Sequence, residues 1–318
     1  MVKTKNKNHN QDLVSILMNC YNGEAYLRES IESIITQTHE NWELIFWDNK
    51  STDSSKQIFD SYSDSRLKYF LAPEHSNLGG GRSSAFKHLN GDYIAILDVD
   101  DLWLSSKLEK QINLFDDSEV GIVISDTMFF DDSNERALYD GNYPPEGNVF
   151  RNLLTKYFVS LETVMFRKSI LDKLDYGFDS DFSYIADFDL VLRTAKISKL
   201  AIHKEVLAKW RVHEDSDSWK SSVTFSNERE LWITKQINQD PKFLNDYSKE
   251  ISILQSKNFL LMAINALSNG ERLKTLGYIS KTNFKVWYDY AVLFLCFIPF
   301  SNKLIQYSQK RRIKRLLK

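Results

Sequence analysis

YIAILDVDDLW, Tyr93 to Trp103, is the stretch on which the fold turns. Residues with the apolar character of a buried strand run directly into three carboxylates, Asp98, Asp100 and Asp101, before Leu102 and Trp103 restore apolar chemistry. Carboxylates leaving water without partners are costly, so a cation or a set of donors is expected beside them. In a wound α/β sheet such groups sit where ligands bind, beyond the carboxyl ends of the strands.

Upstream, LVSILMN (13–19) reads as a strand, and Leu27, Ile31, Ile34 and Ile35 then follow helical spacing with Asn22 as the expected cap. WELIFWD (42–48) is a second strand; Ser51, Thr52 and Asp53 are capping residues for a helix that turns Ile58, Phe59 and Tyr62 inward. RLKYFLA (66–72) is a third strand. A loop NLGGGR (77–82) and a short helix through His88 lead into the strand ending at Asp98. These repeated units predict an α/β fold with a doubly wound, mostly parallel sheet flanked by helices. That topology turns the polar ends of strand one (Asn19, Cys20, Tyr21, Asn22), strand two (Asp48, Asn49) and strand four (Asp98, Asp100) toward one crevice.

Downstream, Ser106 and Glu109 suggest a capping box for KLEKQINLF, and VGIVISDTMFF (120–130) is a strand. Residues 131–148 read as a long loop over the site. A helix at 150–157, the strand ETVMFR, a helix carrying ADFDLVLR and the strand EVLAKWRVH complete the pattern. Beyond about residue 217 long helical patterns take over. The expected division is a flexible lead-in 1–11, an α/β domain 12–218 and a C-terminal helical appendage 219–318.

Within the appendage, VWYDYAVLFLCFIPF (286–300) is apolar apart from Asp289. It is shorter than the ~20 residues of a spanning helix. Lys303, Lys310, Arg311, Arg312, Lys314, Arg315 and Lys318 follow, a pattern that favours contact with a membrane surface.

With 318 residues, 42% hydrophobic and 26% charged, the chain can bury one good core and carry an extra piece. A net charge of −2 provides no global field for recruiting nucleic acid. Cys20 and Cys296 are too few and too far apart for a disulfide framework or zinc site, which fits a reducing cytoplasm. The polar start MVKTKNKNHNQD has no signal-peptide apolar run.

The D-x-D-D run suits Mg²⁺ or Mn²⁺, which take hard oxygen ligands and complete their shells with substrate phosphates. The competing reading makes Asp100 or Asp101 a cap for the next helix. Tyr21 can stack a base and Asn22 or Glu24 can hydrogen-bond it, although the same residues serve as a strand-end turn. GGGR (79–82) is not a phosphate loop. Its glycines suit positive φ, and its arginine suits pairing with Asp98 or with a ligand.

VSILMNCYNGEAYLRESIESIITQTHENWELIFWDNKSTD, GGGRSSAFKHLNGDYIAILDVDDLW, ADFDLVLR and WRVH together resemble the family 2 glycosyltransferases, inverting enzymes of the GT-A fold, over roughly Asp12 to Ser218. The resemblance implies transfer of a sugar from a nucleotide-diphosphate donor, UDP-sugar favoured, to a glycan or lipid-linked acceptor at the inner membrane surface. It implies that Cys20, Tyr21, Asn22, Glu24, Asp48 and Asn49 surround the base, and that Arg82 and Asp98 line the nucleotide site. Asp100 becomes a ligand for Mg²⁺ or Mn²⁺, His213 a second ligand and Asp187 the general base. This chain has Asp48-Asn49 where the family often has an acidic pair, and Ala186-Asp187 in place of Glu-Asp. Asp189 is the rival base. A nucleotide-sugar binding module or a nucleotidyltransferase is the alternative class, though NCYNGE offers no basic phosphate loop for the latter.

Overall fold

The computed structural model describes residues 9–213, 222–283, 287–299 and 301–307. The chain forms two compact units, Met1–Phe150 with Phe158–Arg211, and Arg151–Tyr157 with Val212–Lys318. The expected boundary at 218 lies outside the described residues, as do residues 1–8 of the lead-in and the basic run from Lys310.

The first unit is organised by one sheet. Its strands are β1 Val14–Cys20, β2 Trp42–Asp48, β3 Leu67–Leu71, β4 Tyr93–Ile96, β5 Leu102–Trp103, β6 Val120–Phe130, β7 Glu135–Ala137, β8 Met165–Arg167 and β9 Lys199–Arg211. Their order is β3-β2-β1-β4-β8-β6-β9-β5, with β7 paired to β6. β1 to β4 are mutually parallel, as are β6 and β9; β8 runs antiparallel to both β4 and β6, and β5 antiparallel to β9.

Every residue of β1 and β2 is buried, the signature of central strands covered on both faces. Ile16, Met18, Leu44, Phe46 and Ala95 pack with Leu27, Ile31 and Ile34 of helix α1, Leu27–Ile35, in one cluster. Each such side chain contributes about 1.5–3 kcal/mol when fully buried. The remaining helices of this unit are α2 Ser55–Asp60, α3 Leu78–Phe86, α4 Lys107–Ile112, α6 Lys168–Leu171 and α7 Ala186–Ile197; α5 Phe150–Thr155 opens the segment counted with the second unit.

Several local expectations are corrected. NLGGGR is no loop: Asn77 caps α3 by accepting from the Gly80 N–H at 2.7 Å, so the glycines lie in the first turns of a helix. They serve close approach, not positive φ. A Cβ on Gly79 would stand 2.0 Å from the Phe182 carbonyl oxygen, and one on Gly81 2.5 Å from Asn19 Oδ1. Asn22 caps no helix; it takes φ +55° in the turn before α1. Ser106 stands at the N-cap of α4 without a side-chain cap hydrogen bond, and Glu109 accepts instead from the Thr38 hydroxyl at 2.6 Å, so the capping box does not form. The 131–148 segment contains β7, folded back on the end of β6. Residues 9–11 of the lead-in form a 3-10 turn, with the ring nitrogens of buried His9 2.6 and 2.9 Å from the carboxylates of Asp12 and Asp116.

The second unit is helical, with α8 Ser222–Gln239, α9 Phe243–Asp246, α10 Ser248–Ser268, α11 Arg272–Ile279 and α12 Trp287–Leu295. Ala263, Leu267, Ile279, Val292, Cys296 and Ile305 form a core of their own. None of the described helices is long and apolar enough to cross a membrane.

Candidate active site

Parallel register sets Cys20 of β1 beside Asp48 of β2, so the turns after both strands emerge at one level. Those turns are laced together. Asn22 accepts from the Thr52 N–H at 2.8 Å, Glu24 accepts from the Ser54 N–H at 2.8 Å, and Asp53 accepts from the Glu24 N–H at 2.9 Å. Asp48 is buried, its carboxylate accepting from the Ser51 N–H at 2.7 Å and the Tyr69 hydroxyl at 2.6 Å. Asn49 donates to the Ser76 carbonyl and accepts from the Ser76 N–H, at 2.7 and 3.1 Å. The Cys20 thiol is buried in the core, and burial pushes it up. Tyr21 presents a half-exposed ring beside His75, centroids 4.3 Å apart.

The end of β4 is different. Asp98 receives the guanidinium of buried Arg82, from α3, at 2.6 Å. The Nε of Arg82 has no hydrogen-bond partner among the described residues. Burial pushes the Asp98 carboxyl up; Arg82 opposes this, while the charges of Asp100 and Asp187 add to it. Burial likewise holds Asp101 well above the ordinary carboxylate range, reinforced by Asp100, Glu162 and Asp98. Asp101 is no helix cap: its Oδ1 accepts from the Arg211 N–H on β9 at 2.9 Å. Arg211 also donates to the Asp100 carbonyl at 3.0 Å and to Glu29 at 2.6 Å, its guanidinium lying 4.6 Å from the ring centres of both Tyr26 and Phe130. The Ser30 hydroxyl of α1 donates to the Asp101 carbonyl at 2.5 Å. The carboxylate turn is thus held by α1 and β9.

Asp187 occupies the first turn of α7 and lies within electrostatic reach of Asp98, which is far earlier in the chain. Asp189 is fully buried and bound to Arg193 at 2.5 Å, and Arg193 in turn donates to the carbonyls of Tyr176 and Gly177. The rival carboxylate is therefore a structural anchor. His213 stands two residues past β9, half-buried, in the stretch counted with the second unit.

A buried polar group that the sequence reading did not single out lies on α4 and the 3-10 turn Leu161–Thr163. Lys107 is inaccessible, its Nζ 4.2 Å above the Trp103 ring and without a hydrogen-bond partner among the described residues. Burial, opposed by the nearby charge of Glu162, lowers its ammonium to about 7. Burial raises Glu162, against the Thr127 and Ser160 hydroxyls that favour its charged form. The signal was the lone acid in SLETVMFR, next to residues that pair with β4.

A parallel sheet with a carboxylate cluster beyond its central strand is the nucleotide-sugar-binding architecture of the GT-A class. The model of glycosyl transferase family 2 matches residues 15–175, and the chain belongs to that family. It is a glycosyltransferase. Among curated relatives, the Escherichia coli UDP-Glc:alpha-D-GlcNAc-diphosphoundecaprenol beta-1,3-glucosyltransferase WfgD is 30% identical over 166 residues, covering 52% of this chain and 64% of that protein. Among solved structures, S. aureus TarS 1-349 in complex with UDP-GlcNAc superposes with a TM-score of 0.64 at 16% identity, covering 95% of this chain and 88% of that one. The mannosyltransferase PcManGT from Pyrobaculum calidifontis, in complex with GDP-Man and Mn²⁺, gives 0.61 at 16% identity, covering 95% and 86%. These two likenesses describe the fold.

Proposed function

We propose that this chain transfers a sugar, with inversion, from a nucleotide-diphosphate donor to a hydroxyl of a lipid-linked or glycan acceptor during cell-surface polysaccharide synthesis. The observation that carries the reading is the convergence of Asp98, Asp100 and Asp187 close enough to raise the Asp98 carboxyl, with Arg82 facing them. In this reading Asp187 accepts the acceptor's proton as the new bond forms at the anomeric carbon and the bond to the diphosphate oxygen breaks on the opposite face. Arg82 and Asp98 hold the nucleotide side, with Tyr21 as a stacking surface for the base and the joined turns at Asn22, Glu24, Asp48 and Asn49 as its frame. Cys20 contributes backbone to that frame.

The donor set suits a hard cation, since crowded carboxylate oxygens are what Mg²⁺ or Mn²⁺ binds. No group of three or more His, Cys, Asp or Glu among the described residues is arranged to hold a metal. Asp100 would hold the ion. Bound there, the cation would supply positive charge for the departing diphosphate. A UDP-sugar donor is favoured by the UDP-linked names of WfgD and the TarS complex, and a lipid-linked acceptor by that of WfgD. Such an acceptor places the work at the cytoplasmic membrane surface.

The test is product analysis with a panel of nucleotide sugars and diphosphoprenol-linked acceptors. Release of nucleoside diphosphate with an inverted anomeric configuration by NMR is expected. Inorganic diphosphate release would replace this reading with nucleotidyl transfer, and donor binding without turnover would replace it with a binding module.

A further inference from the structure

Helix α12 buries one stripe and leaves another in solvent. Asp289, Val292 and Cys296 are buried, the last two within the core of the second unit. At about 100° per residue, Trp287 and Phe294 fall roughly 140–160° away from Asp289, and Phe297 stands in the turn that follows the helix. They are 66%, 67% and 69% exposed. Tyr288, stacked on Trp287 with centroids 3.9 Å apart, and Leu304 are also more than half exposed. Single exposed apolar residues need no explanation, but this density does. The described residues of the whole first unit expose four large hydrophobics, Tyr21, Leu71, Leu104 and Ile197; here six, Tyr290 included, stand within eighteen positions.

Charge selects the occupant. From Tyr290 to Lys318 the sequence has seven basic residues and no acidic one. A second copy of the same face would bring like charges together. A bilayer with anionic headgroups meets both features, taking aromatic rings at headgroup depth and basic side chains at its surface.

We infer that the exposed aromatic strip of α12 with the following residues to Leu304 is a peripheral docking face for an anionic lipid bilayer. The inference rests on the lipid-linked acceptor reading for its purpose, while its observations are separate. The strip enters the headgroup region without spanning it, and the basic residues that follow hold it to the leaflet by attraction that salt weakens.

The experiment is co-sedimentation of the full chain with vesicles of phosphatidylcholine, alone or mixed equally with phosphatidylglycerol. The chain should pellet with the anionic vesicles at low salt and be released by high salt. Phe294→Glu with Phe297→Glu should lower partitioning at least about tenfold with an unchanged melting temperature, since both positions face solvent. Equal binding by the variant, no binding by the wild-type chain, or a dimer in light scattering that the two substitutions dissociate would each overturn the proposal. Nucleoside diphosphate release measured on the same preparations separates the two readings: binding without transfer breaks only the enzymatic one, and transfer without binding only this one.

Discussion

Two clusters of polar side chains stand at neighbouring strand ends, and they solve burial differently. After β1 and β2, Asp48, Asn49, Asn22, Glu24 and Asp53 spend their oxygens on backbone N–H groups and hydroxyls of the adjoining turns. After β4, carboxylates raise one another's proton affinity. The first cluster is complete within the protein. The second crowds negative charges that Arg82 only partly opposes, so the proposed function puts ligand chemistry there and gives framing to the first.

The hardest test of that contrast is Asp100→Ala. Nucleoside diphosphate release should fall by about three orders of magnitude or more as charge stabilisation at the leaving group is lost. Its melting temperature should hold or rise, because one repelling charge has gone. A clear loss of stability would mean that Asp100 belongs with the framing residues.

Next come the two carboxylates of α7. Asp187→Asn should cut turnover by roughly 10²–10⁴ and leave donor affinity nearly unchanged by calorimetry. Asp189→Asn should instead lower unfolding free energy by about 3 kcal/mol, having left the part-buried Arg193 without its buried counter-charge. Interchanged results would exchange their roles.

In the frame, Asp48→Ala orphans the Ser51 N–H and the Tyr69 hydroxyl and should cost about 2 kcal/mol in chemical denaturation. Glu24→Ala, at an exposed turn, should cost no more than about 1 kcal/mol. An effect on turnover much larger than the unfolded fraction explains would give either residue a ligand-contacting role.

The smallest effect concerns pH. Burial raises the Glu162 carboxyl, so the folded state binds more protons than the unfolded one between the ordinary glutamate range and that raised value. Its contribution is therefore present below the ordinary value and is lost as pH rises through the raised one. Glu162→Gln should flatten the fall in melting stability from acidic to neutral pH by on the order of 1 kcal/mol. Parallel profiles for wild type and variant would show Glu162 to be indifferent to its surroundings.

The sheet was legible because β1, β2 and β4 are covered on both faces and must be written in apolar residues ending abruptly in polar ones. Arg82 was legible as a partner for Asp98 because a guanidinium beside a carboxylate crevice has few other uses. What misled was local. Three successive glycines signal freedom of φ when read alone, and only the distances from Gly79 to the Phe182 carbonyl and from Gly81 to Asn19 make them demands for space. Asn22 looked like a cap because its real partner, Thr52, is thirty residues away. Glu162 and Lys107 were passed over since burial is not written in a residue's identity. Asp189's anchorage depends on Arg193, which stands in the same quoted helix; what the letters lacked was the direction of each side chain.

Arg211 has a consequence for the order of assembly. β1 to β4 can pair as soon as the first hundred residues exist, but the Asp100 carbonyl and the Asp101 carboxylate find Arg211 only after another hundred and ten. A chain made from its N-terminus therefore has its nucleotide-side strands in register well before the carboxylate turn is braced, and that closure over long sequence separation is entropically late. During synthesis the crowded acids would stand on a half-built sheet, with their brace arriving on one of the last strands to join.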